Sequence, residues 1–438
     1  MGSNSRRRVV ITGVGLVSPL GNSRESFWNG LLSGKSGVGP IESIPVDHLP
    51  VQAAAECREF TGHIRDFGDL PVAQKKVIRK RLSVMCREMR MGVAAAQLAL
   101  QDASLAPGDY DPDRAGVIYG ADYMLTVPDE FVDGIRKCMD DEGKFHFSRW
   151  GEQGLPQVAP LWLLKYLPNL PACYIAIYND MRGPNNSITI REASGTLALG
   201  EAFHIIRRGS ADTLIAGACG TRVHCIRTIH VVMQEEIAKD RSDPATMSRP
   251  FDRDRDGMVI GEGAAALIME DLQTAQQRGA TILGEVVGHG SSTVVDKDFV
   301  AGVDRALENA MGQALAEAEM DPEEIGHIHA HGLSTRQGDI QEAWAINRVF
   351  GDRSTEIPLV AAKSHVGNVG ASGGTLELIG SLLALKEGKL FRVLNYETPD
   401  PQCPVAPVTS DGVSPGGSVL NLSYAPTGQA SALIVRAL

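Results

Sequence analysis

Short β-branched runs that break on small residues and hand over to helical segments recur along almost all of this chain of 438 residues. Residues 9–17, 115–119, 188–190, 213–217 and 264–269 have the composition of strands. Residues 24–33, 81–102 and 197–208 have that of helices, the second with apolar periodicity. Apolar strands alternating with helices need cover on both faces, so the pattern predicts an α/β layered fold with buried sheets. The 47 glycines fit many tight strand-to-helix turns.

A weak internal echo refines this. Val9-Val10-Ile11-Thr12-Gly13-Val14-Gly15 opens the chain, and Gly284-Glu285-Val286-Val287-Gly288-His289-Gly290 has the character of a second opening strand. Gly263-Ala264-Ala265-Ala266-Leu267-Ile268-Met269 and Ala430-Ser431-Ala432-Leu433-Ile434-Val435 are the matching closures. The expectation is two related halves, residues 1–274 and 275–438, joined near 271–280. The period is far too long for a solenoid. Residues 121–182 are less regular and carry Trp150, Trp162, Tyr166 and Tyr174. They are expected to be an insertion that covers a site or forms an interface.

The formal charge of −11 argues against nucleic acid as a partner. Seven scattered cysteines without a C-x-x-C pair fit a reducing compartment, not a disulfide frame or a zinc site. No apolar run approaches the roughly 18 residues of a membrane span. Val9-Val10-Ile11, broken by Gly13 and Gly15, is expected to be a strand and not a signal peptide. Arg6 stands where a myristoylated Met1-Gly2 terminus would need Ser or Thr. These features predict a cytoplasmic protein.

Three motifs mislead. Gly13-x-Gly15-x-x-Ser18 resembles a dinucleotide fingerprint but lacks the third glycine, and Pro19 blocks a helix in register. Asp252-x-Asp254-x-Asp256-Gly257 resembles a calcium loop, but its twelfth position is Gly263, with Glu262 one short. His327, His329 and His331 share one face of a strand, and a mononuclear metal site would need a further ligand that is not evident. No metal or other cofactor is expected.

Chemistry is expected elsewhere. Ile188-Thr189-Ile190-Arg191-Glu192-Ala193-Ser194-Gly195-Thr196 is a strand breaking sharply into a helix, an arrangement that presents a side chain at a helix N-terminus. A plain N-cap serine is the competing reading of Ser194. His331-Gly332-Leu333-Ser334-Thr335 follows one strand, and Lys363-Ser364-His365-Val366-Gly367-Asn368 follows another. A histidine at the carboxyl end of a buried strand can serve as a base or hydrogen-bond donor in a crevice.

With these motifs in place the chain resembles, almost end to end, the elongating β-ketoacyl-ACP synthases of the thiolase superfamily. Residues 8–21 are similar to the family's opening strand. Ser248-Arg249-Pro250-Phe251-Asp252, Arg255-Asp256-Gly257 and Gly261-Glu262-Gly263-Ala264 are similar to its central signature. His331-Gly332-x-Ser334-Thr335-x-x-Gly338-Asp339-x-x-Glu342 matches its first histidine motif, and Lys363-Ser364-x-x-Gly367 the start of its second. The resemblance implies a thiolase-like α/β/α/β/α sandwich. It aligns Ser194 with the family's nucleophilic Cys and Asn368 with its second His, while His331 and Lys363 are retained. Tyr424-Ala425-Pro426-Thr427 stands in place of the glycine-rich gating loop, with Gln429 at the usual Asn.

On this resemblance Ser194, His331, Asn368 and Lys363 are the expected catalytic residues. Ser334, Thr335, Ala425 and Thr427 are the expected substrate contacts, Ala425 through an oxyanion-hole N–H. The implied function is acyl transfer from an acyl carrier protein or CoA thioester onto Ser194, with condensation or decarboxylation to follow. One alternative is a catalytically silent partner like a chain-length factor, and another is a serine esterase or thioesterase. A homodimer, or a heterodimer with a related ketosynthase, is implied. The basic run Gln74-Lys75-Lys76-Val77-Ile78-Arg79-Lys80-Arg81 is either a docking patch for an acidic carrier protein or a solvated helix face. Glu192 is unusual beside a nucleophile and could pair with Arg191 or another base.

Overall fold

The computed structural model describes residues 7–438, so Met1, Gly2 and Arg6 of the terminal readings lie outside the described residues. The strands are β1 (Val9–Val17), β2 (Val38–Pro40), β3 (Ala53–Ala55), β4 (Ala115–Ala121), β5 (Asn185–Ile188), β6 (Thr213–Thr221) and β7 (Glu262–Asp271). The second half supplies β8 (Gly284–Thr293), β9 (His327–His329), β10 (Pro358–Val360), β11 (Ala406–Pro407), β12 (Ser418–Tyr424) and β13 (Gln429–Arg436). β2 and β3 form a separate ribbon. The other eleven make one sheet in the order β11-β10-β9-β12-β13-β8-β1-β7-β6-β4-β5.

The order repeats a pattern. β5-β4-β6-β7-β1 and β10-β9-β12-β13-β8 have the same succession, parallel over the first three strands and antiparallel over the rest. The two sets join through a short antiparallel pairing, Val9–Ile11 of β1 against Gly284–Val286 of β8. The described residues thus hold one sheet made of two topologically equivalent five-strand sets, with β11 at its edge.

Helices fill the layers between and outside them. Arg87–Asp102 covers β1 and β7, and Val303–Ala318 covers β8 and β13 with Arg336–Phe350 beside it. Ser194–Arg207 and Gly373–Glu387 lie between the two strand sets, touching each other and β4, β6, β9 and β12. Both faces of β1, β4, β6 and β7 are buried, which is why their sequences are nearly continuous apolar runs. The helix Gly373–Glu387 is buried around most of its circumference, as a middle-layer helix must be. This is the layered sandwich the resemblance implied.

Close backbone approach explains two glycine motifs. A Cβ on Gly15 would fall 2.1 Å from the carbonyl oxygen of Ala95, so the apparent nucleotide fingerprint serves strand-on-helix packing. A Cβ on Gly195 would fall 2.6 Å from Thr375 Oγ1, and one on Gly374 would fall 2.1 Å from Thr196 Oγ1. The N-termini of the two central helices therefore touch, which brings the Ile190–Ser194 turn against the loops of the second half.

Residues 121–182 contain mainly short helical turns, with the helix Leu170–Asn179 at their end. Phe131, Phe145, Trp150 and Trp162 form a small aromatic cluster of their own. The segment exposes Phe147 and Leu161, with Ile177 exposed on the helix next to the edge strand β5.

Candidate active site

The turn before the first central helix differs from the elbow expected. Arg191 adopts φ +48°, and Arg191–Ala193 makes a 3-10 turn before the helix begins at Ser194. The Ser194 hydroxyl accepts from the backbone N–H of Ile190 (2.8 Å) and donates to the carbonyl of Arg191 (2.7 Å). It clamps the turn from inside. Its hydrogen bonds go to backbone and not to His331 or Asn368, so the expected Ser194–His331–Asn368 constellation does not assemble. This corrects the sequence alignment: the 3-10 turn aims the side chain two positions earlier at the second half.

That side chain is Glu192. Its Oε1 accepts from the Asn368 amide (3.1 Å) and is ion-paired with Arg222, while Arg191 lies 3.5 Å from Oε2. Asn368 is fixed in turn: its Oδ1 accepts from the Gly370 N–H and its amide also approaches Met258 Sδ. Burial pushes the Glu192 carboxyl up, and Arg222, Arg191 and the Asn368 amide together overcome this, holding it at about 2. Glu192 is therefore an anion in the folded protein.

The anion belongs to a larger buried array. Arg222 also reaches Glu235 (3.2 Å) and Asp122 (3.7 Å). Arg227 lies between Asp122 (3.8 Å) and Glu88 (3.5 Å), donates to the Thr221 carbonyl (2.6 Å) and stacks over the Tyr123 ring. Burial, with Asp122 adding to it against Arg227, pushes Glu88 up to about 8. Arg222 and Arg227 follow β6, and Asp122 follows β4, so the array grows from the carboxyl ends of adjacent parallel strands. Beyond Arg227 opens a cavity of about 280 Å³ between Glu88, His224, Met124 and Tyr166.

The second half contributes a hydrogen-bonded machine of another kind. His331 follows β9, and its backbone N–H and that of Gly332 donate to the Glu342 carboxylate (2.6 and 2.9 Å). Lys363 Nζ lies 3.2 Å from His331 Nδ1, donates to the His331 carbonyl (2.7 Å) and is ion-paired with Glu377. An ammonium has only donors, so Nδ1 accepts and the ring proton sits on Nε2, which has no partner among the described residues. Burial, and next the Lys363 charge, hold His331 well below the usual histidine range, so the ring is neutral. The Tyr424 ring packs 4.3 Å from it.

The expected substrate contacts fare unevenly. The Ala425 N–H donates to Gln429 O (2.8 Å) within the β12–β13 hairpin, so it is not free to act as an oxyanion donor. Thr427 is exposed at the tip of that hairpin and bonds Gln429. Ser334 is buried, and its hydroxyl accepts from the Arg249 N–H, a structural tie. Thr335 does face open space, lining a mouth of about 250 Å³ with Glu235, Gly338, Tyr424 and Pro426. His327 and His329 share Ser381 Oγ, and their other ring nitrogens meet Pro415 O and the Ala362 N–H. Asp252 accepts from the backbone of Glu397 and Thr398, holding a loop.

The layered fold, with a turn, a histidine and a lysine at the carboxyl ends of its strands, is that of a thiolase-like protein. The family described as beta-ketoacyl synthase, N-terminal domain, matches residues 6–275, and its C-terminal domain matches residues 261–397. The chain belongs to the beta-ketoacyl synthase family. It is 30% identical over 437 residues to a 3-oxoacyl-(acyl-carrier-protein) synthase 2 of Synechocystis sp., covering 99% of this chain and 94% of the relative. Its structure is similar to the ishigamide ketosynthase/chain length factor (TM-score 0.81, 27% identity, 99% and 100% coverage). It is equally similar to a type II polyketide synthase complex of an acyl carrier protein with its hexaketide-bound ketosynthase (TM-score 0.81, 26% identity, 99% and 100% coverage). Among the described residues no helix is long and apolar enough to cross a membrane.

Proposed function

We propose that this chain is a non-condensing subunit, akin to a chain-length factor, that works beside a ketosynthase carrying the nucleophilic cysteine. One observation carries this reading: the group facing Asn368 where the two halves meet is the carboxylate of Glu192, tied to Arg222 and Arg191. A paired carboxylate is a poor acyl acceptor, because attack on a thioester would break the ion pairs and yield an activated anhydride. Ser194 is no substitute, since its proton is engaged with a backbone carbonyl and it has no base in contact. The similarity to a ketosynthase/chain length factor and the exposed Ile177 beside the edge strand β5 support pairing with a related subunit. The exposed cations Lys76, Arg79, Lys80 and Arg81, on the helix Val72–Arg81, suit an acidic carrier protein delivered to the pair.

The test is co-expression with a cysteine-type ketosynthase from the same source, with acyl-carrier-protein turnover assayed for each subunit and for the mixture. The expected result is a stable heterodimer that condenses, while this chain alone gives no acyl adduct by mass spectrometry. An acyl group on the Ser194 peptide would overturn the reading in favour of a serine acyltransferase.

A further inference from the structure

Away from the candidate site, two histidines from opposite halves face each other across an open pocket. His204 is on the helix Ser194–Arg207, and His289 is on β8. His289 Nδ1 lies 3.4 Å from His204 Nε2, with the rings at 68°. That is long for a ring-to-ring hydrogen bond, whose optimum is about 2.9–3.0 Å. It suits two nitrogens sharing a tetrahedral cation, because metal–nitrogen bonds of about 2.0–2.1 Å put them about 3.3 Å apart.

One of the remaining ring nitrogens has a partner of the kind that orients a metal-bound imidazole: His289 Nε2 lies 3.1 Å from Ser431 Oγ, while His204 Nδ1 faces a Glu317 oxygen at 3.7 Å, beyond direct hydrogen-bond reach. Glu317 is itself held by Arg207 and by the His289 N–H. Gly200 makes the arrangement possible, since a Cβ there would fall 2.2 Å from His289 Nε2. The adjoining pocket, about 420 Å³, is also lined by Glu201, Ser291 and Gln313 and leaves room for water ligands.

We propose that His204 and His289 form a binding site for a borderline divalent transition-metal ion, with Zn²⁺ as its representative. Imidazole pairs favour zinc, nickel and copper over magnesium or calcium. No group of three or more His, Cys, Asp or Glu among the described residues could hold a metal, so the chain supplies two ligands and water the rest. The ion would clip the central helix of the first half to a strand of the second. Its affinity should be modest and its exchange fast.

The test uses untagged full-length protein stripped with a chelator and titrated with ZnCl₂ by calorimetry, with MgCl₂ as control. One zinc per chain is expected, with a higher melting midpoint and no magnesium response. His204→Gln and His289→Gln should each weaken binding by 10-fold or more, and Ser431→Ala less. His204 is partly exposed, so the metal-free melting midpoint of His204→Gln should stay unchanged, separating lost binding from misfolding. Zinc affinity unchanged in both glutamine variants, or no saturable binding by the wild type, would overturn the proposal.

Discussion

The two sides of the candidate site are built on different principles. The second half presents His331 through hydrogen bonds: backbone N–H groups on Glu342, Lys363 on the ring and carbonyl, and Glu377 behind Lys363. Each group there orients one neutral imidazole. The first half presents a lattice of charged groups, Glu192, Arg222, Asp122, Arg227 and Glu235, with the Glu88 carboxyl, pushed up to about 8, at its edge, all buried with little access to water. A hydrogen-bonded machine positions a reacting group, whereas a charge lattice locks its members against one another. The contrast is between one side built to orient a single neutral imidazole and another given over to holding its charged groups in place.

The largest expected effect comes from breaking the lattice at its centre. Arg222→Met leaves Glu192 and Asp122 buried without their shared cation. Removing one partner of a buried pair costs about 3–5 kcal/mol. A loss of that size in the unfolding free energy from urea denaturation is expected. Glu192→Gln combined with Arg222→Met should cost clearly less than the two single changes added together, because the double change leaves no stranded charge at this pair. An Arg222→Met loss under about 1 kcal/mol, the range of exposed pairs, would erase the contrast between the two sides.

The pH dependence of stability sharpens the contrast within the lattice. Glu88, pushed up to about 8, keeps its proton in the folded chain over a range where the unfolded chain, with an ordinary carboxyl near 4.5, has lost it. The native state then binds the extra proton, so stability falls as pH rises from about 4.5 to about 8, by up to about 1.4 kcal/mol per pH unit. Glu192, held at about 2, works in the opposite direction. Its contribution is complete above about 4.5 and is lost as pH falls toward 2. Glu88→Gln should therefore flatten the limb above pH 4.5, and Glu192→Gln the acid limb. Denaturant titrations across pH 3 to 8 would read both, and identical profiles for the two variants would break the assignment.

The sequence discloses the scaffold far better than the site. β1 occupies the 9–17 run as read, because a strand buried on both faces must be continuously apolar. The long helix begins at Arg87 instead of 81, since Val72–Arg81 is a separate basic helix that periodicity merges with it. At the turn, Glu192, Ala193 and Ser194 are consecutive, and only the φ +48° at Arg191 decides which side chain faces the second half. No residue spacing announces that torsion. The signal available was the buried-strand exit carrying arginine: Arg222 directly after β6 has no business in an apolar layer unless an acid waits for it.

Ser194 gives the smallest effect and the cleanest discrimination. Its hydroxyl joins the Ile190 N–H to the Arg191 carbonyl and lies wholly out of solvent. Ser194→Ala removes these local bonds without creating a charge or a sizeable void, so a loss of about 1 kcal/mol is expected, typical of a helix-terminus serine. The condensing activity of a reconstituted pair should be unchanged by it, whereas a nucleophilic serine replaced by alanine would take the activity with it. Ser194→Thr distinguishes the roles from the other direction. Threonine keeps the oxygen that bonds the turn but adds a methyl in a packed site, so it should be no more stable than alanine there while remaining silent in the activity assay. An activity that followed the hydroxyl, lost in alanine and partly kept in threonine, would return the serine to the centre of the site and make the Glu192 array its scaffolding.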